Sequence, residues 1–165
     1  MKYSLKKHLL TEASVEDGLD DSDFMRTLSN YVDKVETSYD SAYITIEGSD
    51  GCMAQANIAI NNEDSNGGIW IDKIEVVKTD TEELHPDCFR KGYAKAMLKA
   101  LTKAADETGT HLALIAASEA YYKRMYPEID LPDKDELANL YMGYGFVEEY
   151  SNYAQVKMNR EPKSS

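Results

Sequence analysis

The residues best suited to hold a ligand stand together in the segment Arg90-Lys91-Gly92-Tyr93-Ala94. Apolar residues at helical spacing follow this segment, which places Gly92 at the start of a helix. A helix start presents unpaired backbone N–H groups and the positive end of the helix dipole, and Arg90 and Lys91 add two cations. The segment therefore suits a phosphate or pyrophosphate. The alternative is a glycine that only caps the helix, since the pattern has neither the P-loop ending nor the three glycines of a dinucleotide fingerprint.

A second group of residues, Leu140-Tyr141 and Gly145-Phe146, follows one strand and one helix later. Taken with Pro86, Gly92 and Ala94, it resembles the GNAT superfamily, the general-control-related N-acetyltransferases. That family runs strand, Pro-x-x-Arg-x-x-Gly-x-Gly/Ala, helix, strand, then a helix ending Leu-Tyr-x-x-x-Gly-Phe. The order of elements from about residue 13 to residue 158 also resembles the family.

The resemblance implies an α+β fold, with a mixed, largely antiparallel twisted sheet flanked by helices in a single domain. It implies acetyl-coenzyme A as the cofactor, with the strand edge at Val76 and Val77 hydrogen-bonding the pantetheine arm. Tyr141 would protonate the departing thiolate; the alternative is an aromatic side chain packed on the sheet. The residues implied to contact the cofactor's phosphate end are Phe89, Arg90, Lys91, Gly92, Tyr93, Ala94 and Lys134.

Two positions depart from the family pattern. Phe89 stands where the family has Arg or Gln, and Lys134 stands where it often has Asn. These departures favour an alternative function, a binding or regulatory protein that keeps the fold, and coenzyme A with it, without turnover.

The attacking amine must be neutral, so a base or a water chain is required. In similar enzymes the strand that carries Asp72 and Glu75 supplies this group, and strand alternation predicts that the two carboxylates point to opposite faces. Each is alternatively a solvated strand residue.

Cys88 lies at the same basic helix start, which favours a reactive thiol, but no histidine and aspartate set accompanies it. Cys52 is interpreted as a small core residue with nothing nearby to activate it.

An irregular, tyrosine-rich stretch is the predicted border of the acceptor groove. Tyr121, Tyr122 and Glu119, with the neighbouring Glu128 and Asp130, combine rings and carboxylates that suit a cationic amine. The alternative is a surface helical turn with ordinary tyrosine packing. A polyamine or a lysine side chain is the expected acceptor.

Composition limits the classes of partner. The chain has 165 residues with 18 basic and 30 acidic side chains, a net charge of −12, which argues against nucleic-acid binding. No apolar run is long enough to span a membrane. Two cysteines allow neither a disulfide framework nor a four-cysteine zinc site, and no metal is expected. The expected location is the cytoplasm, although two cysteines can still pair in an oxidising compartment, and the expected state is a monomer or homodimer.

Periodicity predicts the elements that must position these residues. The predictions are listed in chain order: a helix at 22–38 capped by Ser22 or Asp23, strands at 42–46, 52–60 and 69–78 in an antiparallel meander, a helix from Gly92 to Gly109, a buried strand at 111–117, a short helix at 135–144, a hairpin at 146–158 and a frayed tail at 159–165.

The N-terminus allows two interpretations. Residues 13–17 look like the family's first strand running into its first helix. Residues 1–12 also form a short basic amphipathic segment ending Leu10-Thr11-Glu12, which resembles the cleavable packaging peptides of tailed-phage head proteins. In that case the protein would be packaged in a virion.

Overall fold

A computed structural model describes residues 18–117 and 120–164, of which residues 120–122 are described in their backbone only. Both interpretations of the N-terminus and the predicted acceptor residue Glu119 lie outside the described residues. Tyr121 and Tyr122 are described in their backbone only.

The described residues form one mixed sheet with helices beside it. The sheet has seven strands in the order β1-β2-β3-β4-β5-β7-β6. All neighbouring pairs are antiparallel except β4 with β5, which is parallel. The predicted α+β class, with a largely antiparallel sheet flanked by helices, is confirmed. In chain order the elements are α1 (Asp23–Leu28), β1 (Lys34–Thr37), β2 (Ser41–Glu47), β3 (Cys52–Ile60), β4 (Ile69–Lys78), a 3-10 turn (Pro86–Cys88), α2 (Tyr93–Thr108), β5 (Leu112–Ala117), α3 (Ala120–Met125), α4 (Lys134–Met142), β6 (Val147–Ser151) and β7 (Gln155–Arg160).

Helix α2 forms the core with one face of the sheet. Its side chains Met97, Leu98 and Leu101 are fully buried, as the helical spacing predicts, and they pack in one cluster with Ala54 of β3 and Leu114 of β5. The helix is 16 residues long. No helix in the described ranges is both long enough and apolar enough to cross a membrane.

The predicted helix at 22–38 is wrong in its second half. Ser22 does cap α1, accepting a hydrogen bond from the Met25 N–H, but the helix ends at Leu28 and residues 34–37 form strand β1. Val35 packs against the core from that strand. Val35 would lie on the apolar side in either a helix or a strand, so its position does not distinguish the two. Its β-branched side chain and the pairing of residues 34–37 with β2 favour the strand.

The end of the chain is held more firmly than predicted. Strand β7 continues to Arg160, whose side chain is buried and forms a two-pronged ion pair with Asp106. The Lys163 N–H also donates to Asp106, at 2.8 Å. The frayed tail therefore does not begin at residue 159.

The two cysteines form a disulfide between Cys52 and Cys88. Both residues are 1% exposed, in a small cluster with Val76, Phe89 and Tyr93. Cys52 is a buried core residue, as predicted, but its partner Cys88 was not foreseen, and in this oxidised form Cys88 is not a free nucleophile. Sequence spacing could not pair them, because they are 36 residues apart and meet only when β3 and the 3-10 turn pack together.

Candidate functional site

Strands β4 and β5 separate before either strand ends. Their pairing covers only Ile69–Ile71 with Leu112–Leu114, whereas β4 runs on to Lys78 and β5 to Ala117. Each strand keeps its partner on the other side, β3 for β4 and β7 for β5. Beyond the paired residues the facing edges no longer hydrogen-bond to each other. Such an opening can accept an extended ligand through strand-like hydrogen bonds.

The gap between the separated strands is a cavity of about 390 Å³. Its walls include Ile74 and Val76 of β4, Leu114 of β5, Leu98 of α2 and Tyr141 of α4. These side chains are mostly apolar, while Asp72, Lys73 and Glu75 of β4 also line the cavity, so it can hold an apolar chain that carries polar groups.

Strand β4 has a bulge where the separation begins. Ile71 pairs with Ile58 on β3, and Lys73 pairs with the adjacent Asn57, so Asp72 is an extra residue without a Cα partner. A bulge bends its strand and redirects the local backbone groups, and bulges are over-represented beside active sites.

The bulge changes which side chains share a face. Ile71 and Ile74 both pack toward the core, although they are three residues apart, because Asp72 shifts the alternation by one residue. Asp72 and Glu75 consequently lie on the same face, the one away from α2. The predicted opposite-face arrangement is wrong. Glu75 forms an ion pair with Lys73, at 3.1 Å, whereas the Asp72 side chain is exposed.

The predicted phosphate segment forms a tight loop at one end of this cavity. Arg90 has φ of +61°, which is unusual for a residue with a side chain, and Gly92 has φ of +88°. A Cβ at Gly92 would meet nothing within 4 Å, so its backbone angle, not lack of space, favours glycine there. No side chain caps the start of α2 at Gly92. The N–H groups of its first turn therefore remain available to a ligand.

Both loop cations are already paired with carboxylates. Arg90 contacts Asp130 at 2.5 Å and Lys91 contacts Asp50 at 3.2 Å, with all four side chains more than one-third exposed. Exposed pairs of this kind contribute little stability. An anionic ligand at the loop would compete with the two carboxylates for the cations.

Asp50 also accepts a hydrogen bond from the Tyr93 hydroxyl. The hydroxyl, then Lys91 and the Cys52 N–H, lower the pKa of Asp50 to about 2. The same hydrogen bond raises the pKa of Tyr93 to about 12. Asp50 is therefore a carboxylate and Tyr93 a neutral donor throughout the physiological range.

Tyr141 lies on the helix that closes the cavity from the other side. A capping box fixes the start of α4: Asp133 accepts from the Glu136 N–H, and the Glu136 carboxylate accepts from the Asp133 N–H. The ring of Tyr141 lies 6.0 Å from that of the buried Phe146 and lines the cavity with Val76. The structure therefore brings Tyr141 and the β4 edge into one space.

The other predicted cofactor residues divide into two groups. Phe89 and Ala94 line the same cavity, but Val77 and Lys134 do not. Val77 is 1% exposed and pairs with Met53 across the sheet. Lys134 begins α4 and contacts Asp135 at 3.0 Å.

A second, open depression of about 530 Å³ lies on the outer face of the sheet. It is lined by Glu36 of β1, Tyr43 of β2, Asn57 of β3, and Trp70 and Asp72 of β4. Trp70 and Asp72 line both this depression and the cavity between the strands. The two spaces therefore meet at the β4 bulge.

The outer face is electronegative around Tyr43. Burial raises the pKa of its hydroxyl, and the charges on Glu82, Glu75 and Glu36 raise it further. Glu82 comes from the connection after β4 and accepts hydrogen bonds from Tyr43 and from the buried Gln55. This field, together with the ring of Trp70, favours a cation over an anion at the depression.

Sequence reasoning missed the loop's partners. The Ser49-Asp50-Gly51 turn was predicted only as a turn, and nothing in its spacing indicated that Asp50 would contact Lys91 and Tyr93. Trp70 was not identified as a site residue, because an aromatic residue at the start of a strand is common and gives no functional signal by itself.

No protein-family model and no curated protein matches the chain in sequence. Among solved structures it is similar to the crystal structure of PH1933 from Pyrococcus horikoshii OT3. The likeness covers 99% of this chain and 95% of that one, at 12% identity and a TM-score of 0.41. At that level it transfers neither a residue role nor a ligand.

Proposed function

We propose that the protein is an acetyl-coenzyme A-dependent N-acetyltransferase of GNAT type, acting on a primary amine. The observation that supports this most directly is the separation of β4 from β5, with the Phe89–Ala94 loop at its edge and Tyr141 in its wall. This combination agrees with the order and spacing of the sequence motifs, which were found independently of it.

The residues of the cavity fit the parts of acetyl-coenzyme A. The apolar space beside Val76 suits the pantetheine arm, whose amides can pair with the unpartnered strand edge. The uncapped N–H groups after Gly92 and the cations Arg90 and Lys91 suit its pyrophosphate. Acetyl-coenzyme A would supply the acetyl group as a thioester.

The chain's own groups then account for the proton movements. The Asp72 carboxylate, at the bulge shared by the two spaces, would accept a proton from the acceptor's ammonium. The neutral amine nitrogen would bond to the acetyl carbon as the bond from that carbon to sulfur breaks. The Tyr141 hydroxyl would donate a proton to the departing sulfur, and the nitrogen's second proton would return to the Tyr141 oxygen through water, leaving a neutral amide. Backbone N–H groups near the bulge would stabilise negative charge on the carbonyl oxygen.

The acceptor is proposed to be cationic, a polyamine or a lysine side chain, entering from the outer depression. Its carboxylates Glu36 and Asp72 and the rings of Tyr43 and Trp70 would attract an alkylammonium group. Added salt should then raise the KM for the acceptor. At physiological ionic strength the attraction between exposed charges is already screened beyond a Debye length of about 8 Å, and more salt shortens this distance. Equal reaction of neutral and spermidine-like amines would contradict the cationic acceptor alone.

The pairing of the loop cations favours one second candidate. If Arg90 stays with Asp130 and Lys91 with Asp50, the loop loses much of its charge for phosphate, and Phe89 offers none. The protein would then be a binding or regulatory protein without turnover.

Release of free thiol from acetyl-coenzyme A, measured with a panel of amines, tests the proposed function. Amine-dependent release that is lost in Tyr141→Phe supports the enzyme. Binding of acetyl-coenzyme A without thiol release from any amine would support the second candidate instead.

The cytoplasm remains the proposed location. The Cys52–Cys88 disulfide weighs against a permanently reducing compartment, because disulfides in the cytosol are rare and are usually transient or redox-sensing. Labelling of free thiols in protein taken directly from cells tests the location. Two free thiols indicate a reducing compartment such as the cytoplasm, and no free thiol indicates that the disulfide persists in the cell.

A further inference from the structure

The loop at the cavity is fastened to the turn between β2 and β3 by three contacts. Cys52 and Cys88 form the disulfide, Lys91 contacts Asp50 at 3.2 Å, and the Tyr93 hydroxyl donates to Asp50. We call these contacts the clamp. They hold the loop on both sides, since Cys88 precedes it and Tyr93 follows it.

The turn is the rigid partner in the clamp. Cys52 begins β3 and pairs with Lys78 of β4, and its N–H donates to Asp50 at 3.2 Å. Tyr93 packs so closely on the turn that a Cβ at Gly48 would lie 1.5 Å from the Tyr93 hydroxyl oxygen. The turn therefore defines where the start of α2 and the loop before it can lie.

The loop needs such an external hold. Between Cys88 and Tyr93 lie four residues, two of which, Arg90 and Gly92, have positive φ. A residue other than glycine keeps a left-handed backbone conformation only where the surrounding structure enforces it. The Lys91–Asp50 pair is exposed and weak, whereas the disulfide is covalent and buried. The disulfide is therefore the strongest element of the clamp.

We propose that the Cys52–Cys88 disulfide is a redox control of the loop: the oxidised protein holds the loop in its ligand-binding conformation, and the reduced protein releases it. The identity of the ligand, acetyl-coenzyme A, rests on the proposed function. The release of the loop does not.

The chemistry requires a dithiol reductant. One dithiol transfers two electrons and two protons, so that the bond between the two sulfurs breaks, Cys52 and Cys88 become thiols, and the dithiol becomes a disulfide. Because both cysteines are 1% exposed, attack requires the clamp to open first. A ligand that keeps the loop in place should therefore slow reduction, because it lowers the population of the opened form that the reductant attacks.

The experiment compares oxidised protein with protein reduced by dithiothreitol, each verified by counting free thiols. Acetyl-coenzyme A is the probe, and dithiothreitol is removed by gel filtration before it is added, because the dithiol would take the acetyl group and release coenzyme A as a free thiol. Calorimetry gives its Kd, and amide hydrogen exchange reports residues 89–95 separately from residues 102–108 at the far end of α2. We expect reduction to weaken binding by about 5-fold or more and to speed exchange at 89–95 by a larger factor than at 102–108, beyond the loss of overall stability that opening the disulfide brings.

Two variants separate the redox control from general loss of stability. Cys52→Ser/Cys88→Ser should match the reduced protein and no longer respond to dithiothreitol. Asp106→Asn loosens the far end of α2 and should keep the oxidised Kd and the response to dithiothreitol. If the reduced protein unfolds, the initial rate of reduction of the native protein, measured before dithiothreitol consumes the thioester, replaces the comparison. Acetyl-coenzyme A should slow this rate, and Asp106→Asn should leave that protection intact.

An unchanged Kd together with unchanged exchange at 89–95, despite two free thiols, would overturn the proposal. Exchange that speeds by the same factor at 89–95 and at 102–108, in protein that stays folded, would overturn it too, because the disulfide would then stabilise the whole fold and not the loop in particular. Exchange that speeds more at 89–95 than at 102–108, with no acetyl-coenzyme A binding in either form, would support the redox control and contradict the proposed function.

Discussion

The two ends of helix α2 are built in opposite ways. At its start, Gly92 provides no side-chain cap and the preceding Arg90 has a positive φ. At its end, Gly109 adopts the left-handed conformation and its N–H donates to the Ala105 carbonyl. Nearby, Asp106 accepts both prongs of the Arg160 guanidinium, which is 2% exposed.

This difference indicates a division of labour along one helix. The end far from the cavity has its backbone and charged groups satisfied inside the protein. The end at the cavity has backbone N–H groups without a side-chain cap, and its two cations form only exposed ion pairs, which an anionic ligand can replace. Low local stability is expected at sites that must accept a ligand. The following predictions break or sharpen this contrast, from the largest effect to the smallest.

Removing the disulfide should have the largest effect on stability. Cys52→Ala/Cys88→Ala opens a loop defined by residues 36 apart, which should lower the free energy of unfolding by about 4 kcal/mol. Urea denaturation measures it against the oxidised protein. A loss below about 1 kcal/mol would show that the clamp adds no constraint on the unfolded chain.

Breaking the ion pair at the far end of α2 should come next. Arg160→Met leaves Asp106 without its buried partner and should cost about 3 kcal/mol of unfolding free energy. The matched variant Arg90→Met breaks the exposed pair with Asp130 at the cavity end and should cost less than about 1 kcal/mol. Equal losses, measured by urea denaturation, would remove the contrast between the two ends.

Tyr141→Phe tests chemistry at the cavity. The ring and its packing on Phe146 remain, so stability should change little. Loss of the proton donor should reduce kcat by about 100-fold, or about 2.7 kcal/mol. The Kd for acetyl-coenzyme A should stay within a few-fold, because the hydroxyl acts mainly in the transition state. A variant with full kcat would make Tyr141 a packing residue.

Acid should affect both ends of α2 by a smaller amount. The pKa of Asp50 is lowered to about 2, so its stabilising contribution is present above the ordinary value of 3.8 and is lost as pH falls toward 2. Burial alone would raise the pKa of Asp106, but hydrogen bonds from Arg160 and the Lys163 N–H outweigh burial and lower it. Stability should thus fall over the same acid range at both ends.

Substituting Asp50 and Asp106 separately shows how much of the loss of stability at acid pH comes from each end of α2. Denaturation curves at several pH values should show less acid dependence for Asp50→Asn, and separately for Asp106→Asn, than for the unsubstituted protein. An unchanged pH profile in Asp50→Asn would contradict the hydrogen bonds assigned to Asp50.

The sheet and α2 could be predicted from the sequence because their signals are local. Alternation in residues 52–60 and 69–78 and the helical spacing ended by Gly109 each depend on near neighbours. The helix at 22–38 failed because Val35 suits both periods, and only pairing with β2 selects the strand.

The site could be predicted only in part. Gly92 and Tyr141 were identified because each belongs to a motif of fixed spacing. The clamp was missed because Asp50 and Cys52 reach Lys91 and Cys88 through contacts between distant segments. The shared face of Asp72 and Glu75 was missed because one inserted residue in the register leaves no mark in the sequence.

The most direct test of the central claim is calorimetric binding of acetyl-coenzyme A to the oxidised protein, to Gly92→Ala and to Gly92→Glu. Both variants introduce the same strain at a positive φ, but only glutamate places a negative charge where the pyrophosphate is proposed to lie. The account predicts binding by the unsubstituted protein, weakened binding by Gly92→Ala and none by Gly92→Glu. Absence of binding by the unsubstituted, oxidised protein at millimolar acetyl-coenzyme A would contradict it.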